Sequence, residues 1–158
     1  MAFRFVRSAG SIHEPAVVLM PASGVIHSGG VVVSDAANYV VSPASSSSTT
    51  TNIIGVSLDY AQGASDTFVR VIPFVQGQLW EADSANVIST ANVLLRHQLA
   101  TDLVVRNTVF GTTTSMGETA STGIFLALAV TGLSTGSGKL IGTFLQRTAT
   151  RNDGFTIV

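Results

Sequence analysis

Apolar and polar residues alternate along this chain in short bursts, each ended by Gly, Pro, Asp or Ser. β-Branched and aromatic residues at a period of two, between such punctuation, are the signature of β-strands joined by turns. The pattern is clearest over residues 53–83, IIGVSLDYAQGASDTFVRVIPFVQGQLWEAD, which reads as one β-meander. Residues 53–58 make a short apolar strand, and residues 60–66 a polar turn around Gly63. Residues 67–72 alternate Phe68, Arg70 and Ile72 against Val69 and Val71. Pro73, without an N–H to donate, breaks the ladder, and residues 74–80 make a further strand around Gln76-Gly77-Gln78.

Upstream, MAFRFVR places Phe3, Phe5 and Arg7 on one side of an extended segment and Ala2, Arg4 and Val6 on the other. Two readings stay open: a first strand packed on its own sheet, or an arm that adds to a neighbouring subunit's sheet. A loop over 8–15 leads to a strand over 16–20, stopped by Pro21. A turn through Ser28-Gly29-Gly30 precedes strands over 31–34 and 39–42. The run PASSSSTTT at 43–51 is too polar for a core and reads as a flexible surface loop. Residues 84–99 read either as a helix capped by Asp83 or Ser84, with Val87, Ala91, Leu94 and Leu95 on one face, or as strand, turn, strand. After a Gly/Ser turn at 131–139 and a strand at 140–146, the polar tail ends on Phe155-Thr156-Ile157-Val158, an apolar terminus of the kind that docks on something. The chain therefore divides into an N-terminal arm (1–15), a β-rich domain (16–146) and a C-terminal tail (147–158).

Residues 23–60 and 85–130 carry the same order of parts, which favours the strand reading of the ambiguous segment. Val25 to Val33 aligns with Val87 to Leu95, and Tyr39-Val40-Val41 with Leu103-Val104-Val105. A polar loop follows in each copy, then a glycine-led strand, Gly55-Val56-Ser57-Leu58 or Gly123-Ile124-Phe125-Leu126. The offset drifts from 62 (Val25 to Val87) to 68 (Gly55 to Gly123), a difference that loops absorb. The repeat implies two similar β-lobes.

Composition sharpens this picture. Of 158 residues, 46% are hydrophobic and only 11% charged, against about 25% charged in ordinary globular chains. The surface must then be Ser/Thr/Gly-rich or occupied by partners, since exposed apolar area marks interaction surfaces. Eight basic residues against nine acidic ones give a net charge of −1, and Lys139 is the one lysine. No basic patch points to nucleic acid. The absence of cysteine excludes disulfides and thiolate metal sites. The N-terminus has no apolar core of the secretory kind, and the longest strongly apolar run, IFLALAV at 124–130, is about a third of the ~20 residues of a membrane helix.

Candidate chemistry is thin. Gly132-Leu133-Ser134-Thr135-Gly136 matches the G-x-S-x-G nucleophile elbow. That motif needs a helix after it and a later His, whereas a β-like segment follows and His97 is the last histidine. Gly136-Ser137-Gly138-Lys139 resembles the end of a P-loop, but Leu133 and Leu140 stand where Gly and Ser/Thr are required. His13, His27 and His97 are far apart and read as surface or turn residues. Glu81 and Asp83 share one side of a strand, as an acid/base pair would and as a solvated strand end more commonly does. Trp80, the one tryptophan, reads as an anchor of a core or an interface. The expectation is a protein that is not an enzyme and carries no cofactor or metal.

Ile54-Gly55-Val56, the turn at Gly63, Val69-Arg70-Val71 and Gly77 ahead of an apolar residue together resemble small β-rich phage head proteins, the capsid decoration or cement proteins of tailed phages. Ala91-Asn92-Val93 and Ile141-Gly142-Thr143-Phe144 are similar to that family's run of short strands ending in an Ile-Gly strand. The likeness covers residues 50–145 and departs where the family's Gly-Asp step is Ala91-Asn92 here. It implies a virion protein, made in the host cytoplasm, that binds the major capsid protein on the outside of an icosahedral shell, commonly as a homotrimer, and bridges capsomers. It implies no nucleic-acid or membrane partner. The expected fold is all-β, a sandwich or partly open barrel of short antiparallel strands in two related lobes with extended terminal arms. The interface candidates are Phe3, Arg4, Phe5 and Arg7 on the arm, Trp80, and Phe155, Ile157 and Val158 on the tail. The alternatives are another virion subunit (fibre, tail or shell) and a carbohydrate-binding sandwich with Trp80 and Tyr60 as stacking platforms.

Overall fold

The computed structural model describes residues 3–8, 15–35, 39–45, 47–62, 67–75, 77–84, 90–101, 107–114, 123–131 and 139–145. Among these, thirteen strands follow in order: β1 (Phe3–Ser8), β2 (Val18–Ala22), β3 (Val25–Ile26), β4 (Val31–Asp35), β5 (Val40–Pro43), β6 (Ile53–Ser57), β7 (Ala61–Gln62), β8 (Thr67–Pro73), β9 (Gln78–Asp83), β10 (Arg96–Thr101), β11 (Asn107–Thr114), β12 (Phe125–Thr131) and β13 (Lys139–Phe144). The protein is all-β. The one helical turn among the described residues is a 3-10 segment at Thr90–Asn92, so the described part of 84–99 is turn and strand.

Two bodies are built on two core clusters, one inside the barrel and one against the sheet. Strands β2-β5-β4-β6-β8 close into a barrel, and β1-β9-β13-β12-β10-β11 form a six-stranded sheet. The barrel interior is filled by Ala22, Val32, Val41, Ile54, Val69 and Val71, small and β-branched side chains that suit a five-strand circumference. The other face of β4 and β6 carries Val31, Ile53 and Val56, which join Phe3, Phe74, Trp80, Leu99, Phe125, Leu140 and Phe144 in a larger cluster against the sheet. Each such side chain, fully buried, contributes about 1.5–3 kcal/mol. Phe144 is the hub of the aromatic part: it stacks on Phe74 at 4.0 Å and 26° and meets Phe3, Trp80 and Phe125 at 5.0, 5.9 and 5.1 Å.

The two bodies pair their strands in one order. β5-β4-β6-β8-β2 in the barrel corresponds to β11-β10-β12-β13-β9 in the sheet. Individual rungs correspond as well. Val31 faces Val56 where Arg96 faces Leu126, and Val32 faces Gly55 where His97 faces Phe125, offsets of 65 and 70 residues. Ser57 faces Val71 where Ala127 faces Gly142, offsets of 70 and 71. Leu19 faces Arg70 where Glu81 faces Ile141, offsets of 62 and 71. The loops repeat too: Gly29 N–H donates to Ser57 O as Leu94 N–H donates to Ala127 O, and both donors have positive φ, 78° and 63°. By these rungs Val31 corresponds to Arg96, not Val93, and Gly55 to Phe125, not Gly123, so the sequence alignment is short by three and two residues.

One edge breaks the correspondence. In the barrel, β2 closes on β5 through Ala22 and Val41. In the sheet, the equivalent edge of β9 is taken by β1, with Phe3 opposite Ala82 and Phe5 opposite Trp80. Residues 3–8 are thus a strand of the chain's own sheet, not a free arm. A register shift between Phe5 and Arg7 ends the simple alternation, so Arg7 is exposed rather than on the Phe3 side.

Three local expectations are corrected. Pro21 does not stop β2; it pairs with Phe68 inside the strand, and the ladder to β5 starts only at Ala22, so the missing N–H removes no rung. Phe74, Val75 and Gly77 are not strand: Gly77 adopts φ 87°, Gln78 N–H donates to Val75 O, and Gln78 Oε1 accepts from Val75 N–H. The described residues of the Ser/Thr run form hydrogen-bonded turns with two buried side chains, not a wholly surface loop. Ala44 N–H donates to Val31 O, Ser45 N–H to Ser48 Oγ, and Thr49 N–H to Asn52 Oδ1, with Ser48 and Thr50 buried. Short hydroxyl and amide side chains bond nearby backbone and so build consecutive turns. The expected tail, turn and loop segments at 147–158, 132–138 and 9–14 lie outside the described residues.

Candidate interaction surface

Alternation along β2 and β8 sends Met20, Ala22, Val69 and Val71 into the barrel and leaves Val17, Leu19, Pro21, Phe68 and Arg70 outside. Leu19 is 63% exposed, Phe68 55% and Val17 50%. Leu19 faces Arg70 and Pro21 faces Phe68, so Leu19 and Phe68 are diagonal neighbours on one face. β2 pairs with β8 along its length, while its ladder to β5 is the single rung Ala22–Val41, so the barrel is closed beside this surface only at Ala22.

The one cation of the strip is satisfied internally. Arg70 Nη2 lies 2.6 Å from Asp59 Oδ1, its Nε donates to both Asp59 oxygens, and its backbone N–H donates to Asp59 Oδ2 at 2.8 Å. The hydrogen bonds from Arg70 hold the Asp59 carboxyl below the usual aspartate range against a smaller opposing effect of burial, and Asp59 in turn raises the guanidinium. Beyond Asp59, the exposed Tyr60 ring lies 5.4 Å from that of His27.

On the sheet, the outward side of β9 and β13 is charged. Glu81 Oε2 accepts from Arg4 at 3.0 Å and Glu81 Oε1 from Lys139 at 2.9 Å, while Lys139 also lies 3.8 Å from Asp83. The Lys139 hydrogen bond holds Glu81 below the ordinary glutamate value, and Glu81 raises Lys139. Glu81 and Asp83 do share a side, as the sequence placed them, and there they neutralise cations. No group of three or more His, Cys, Asp or Glu side chains able to hold a metal lies among the described residues, and no helix there is long and apolar enough to cross a membrane.

The interface candidates separate. Phe3 and Trp80 are each 1% exposed, and Phe5 packs edge-on against Trp80 at 5.4 Å. In this fold those three serve the chain's own core, and Trp80 offers no stacking platform. Arg4 and Arg7 are exposed. Phe155, Ile157 and Val158 lie outside the described residues. His97 is no surface residue: it is fully buried, with Nε2 3.1 Å from Asn92 O and Nδ1 without a partner. Its place between Leu95 and Leu99 at a period of two was the available signal. Leu19 and Phe68 were missed, although Phe68 alternated visibly against Val69 and Val71, because alternation cannot say which face is covered. No protein-family model matches the chain, and no curated protein matches it.

Proposed function

We propose that this chain is a structural virion subunit that binds the outside of an icosahedral phage shell as a homotrimer and bridges capsomers, without enzymatic activity. The observation that carries this reading is the exposed apolar face of the barrel, Val17, Leu19 and Phe68, beside the half-buried Pro21, on a chain of 11% charged residues. Apolar surface of this kind supports docking rather than chemistry. The phage assignment rests on the sequence resemblance at residues 50–145. The partner it names is the major capsid protein, and the location the virion exterior.

Co-sedimentation tests the proposal. Purified chain is mixed with expanded empty heads of the tailed phage whose genome encodes it, and the pellet is quantified against input. Saturable binding, together with a raised temperature of shell disruption, supports the reading. A chain that stays wholly in the supernatant at micromolar concentration overturns it. The carbohydrate-binding alternative loses its Trp80 platform to the core and has no specific observation in its favour.

A further inference from the structure

The β2–β8 rungs from Val18 to Pro21 match the β9–β13 rungs from Trp80 to Asp83 at constant offsets of 62 and 71 residues. The two strands differ on their other edge. β9 carries β1 there, with Phe5 opposite Trp80, Arg4 opposite Glu81 and Phe3 opposite Ala82. The matching stretch of β2 has no strand on it among the described residues, since the ladder to β5 is the one rung at Ala22. Burial records the difference. Trp80 and Ala82 are fully buried, whereas their counterparts on the inner side of β2 are not: Val18 is 39% exposed and Met20 half-buried. Backbone bonding identifies the groups at this edge. Arg70, opposite Leu19, donates its N–H to Asp59 Oδ2, and its carbonyl accepts from Leu58 N–H. The two residues of an antiparallel rung exchange both bonds or neither, so Leu19 N–H and C=O point away from β8, toward the open edge. Pro21, two residues on and in the same phase, has no N–H to give and leaves the β8 ladder whole.

We propose that the Val18–Pro21 edge of β2 accepts one extended strand of the shell protein, which pairs with the backbone of Leu19 as β1 pairs with Glu81. This rests on the decoration reading above and adds how the partner is held. An outward N–H and C=O on a strand edge call for a polypeptide, which brings the matching groups at strand spacing. The chain's own β1 is the template for that strand. Side chains opposite Val18 and Met20 cover the inner side, as Phe5 and Phe3 cover Trp80 and Ala82. The residue between them faces outward. On β9 that position is Arg4, ion-paired with Glu81; opposite Leu19, with Phe68 diagonal to it, an apolar residue fits instead. The acceptor site therefore selects three successive apolar residues in extended form. A second copy has no such strand to give among its described residues, because its β1 is already engaged on β9.

The test uses the full chain and the same expanded heads. Leu19→Ala removes the side chain and keeps the N–H; Leu19→Pro removes both and sets its ring in the edge. The β8 ladder does not use the Leu19 N–H, and Pro21 already sits in the same phase, so the proline variant should fold, which the fluorescence melt of Trp80 checks. Leu19→Ala should weaken shell binding about tenfold or less, and Leu19→Pro at least about a hundredfold. A folded proline variant that binds as the alanine variant does overturns the inference and leaves the decoration reading standing. A wild type that stays in the supernatant overturns both. Amide exchange on wild type gives a readout that needs no variant. In the free chain the Leu19 amide should exchange at least about tenfold faster than that of Met20, which bonds to β8, and it should slow when shells are added. Equal protection of the two in the free chain means that the edge is already covered and overturns the inference. Protection of Leu19 on concentrating the chain without shells gives the edge to a second copy and overturns it as well.

Discussion

Gly142 marks the tightest point of the larger core. A Cβ built there lies 2.8 Å from Cε1 and Cζ of Phe125 and nearer still to the carbonyl oxygen of Leu126, inside the roughly 3.0 Å that real Cβ atoms keep. The oxygen belongs to the backbone of β12, so relief requires moving a strand, not rotating a side chain. Gly142→Ala should then cost about 1–3 kcal/mol for overpacking. It should cost about 1 kcal/mol more for each weakened rung of the β12–β13 ladder. Against this stands roughly 0.5–1 kcal/mol gained by removing a strand-interior glycine. The net is a loss of about 3 kcal/mol, or roughly 6–12 °C in melting temperature for a chain of this size. Trp80 reports the event directly, being the one tryptophan and in contact with Phe144 of β13. The assay is thermal unfolding by tryptophan fluorescence at fixed protein concentration. Thr143→Ala, at a half-exposed neighbour, serves as control and should change stability by less than about 1 kcal/mol. A Gly142→Ala melt within 2 °C of wild type would refute the close approach of β12 and β13 on which the estimate stands.

Three further outcomes are expected. Phe3→Ala empties a fully buried ring site beside Phe125 and Phe144 and should lower stability by about 3–5 kcal/mol in urea unfolding; an unchanged midpoint would mean that β1 is not docked on its own sheet in solution. Leu94→Gly should raise stability by about 0.5–1 kcal/mol, because Leu94 is exposed with φ 63° and its counterpart Gly29 already carries glycine at φ 78°; a loss would show that the Leu94 side chain holds the turn. Glu81 has its folded pKa depressed from about 4.5. The stability it adds is complete above that value and is lost as pH falls through the lower folded value. Wild type should therefore lose melting temperature below pH 4.5 more steeply than Glu81→Gln, and equal slopes would dismiss the pairing with Arg4 and Lys139.

Much of the strand content was legible along the chain. Alternation located β8, and short apolar runs between Gly, Pro and polar residues located β4, β6 and β13 to within one or two residues at each end. Errors came where the backbone's own bonds overrule composition. Pro21 entered a strand because the rung it faces needed no donor from it. The Ser/Thr run closed on itself because its hydroxyls bond its own N–H groups. His97 sat on an apolar position of β10, yet its polarity argued for the surface. The candidate site divided in the same way: the alternation of Phe68 and Arg70 against Val69 and Val71 was plain, while the side of that strand left bare was not.

The amino-acid order is enough to make this an all-β chain with few charges, two sets of strands in similar order, and alternating faces along each strand. Those are local properties, set by side-chain shape and polarity at neighbouring positions. Long-range pairing alone assigns the partners. It takes β1 onto β9, where the barrel closes β2 onto β5, and so turns Phe3, Phe5 and Trp80 from interface candidates into core. It also sets Leu19 beside Phe68 across 49 residues of chain (68 − 19), and it leaves that face bare while the corresponding one carries Arg4, Glu81 and Lys139. Such contacts join residues far apart in sequence, and their free energy depends on which faces finally meet rather than on any pattern within one segment.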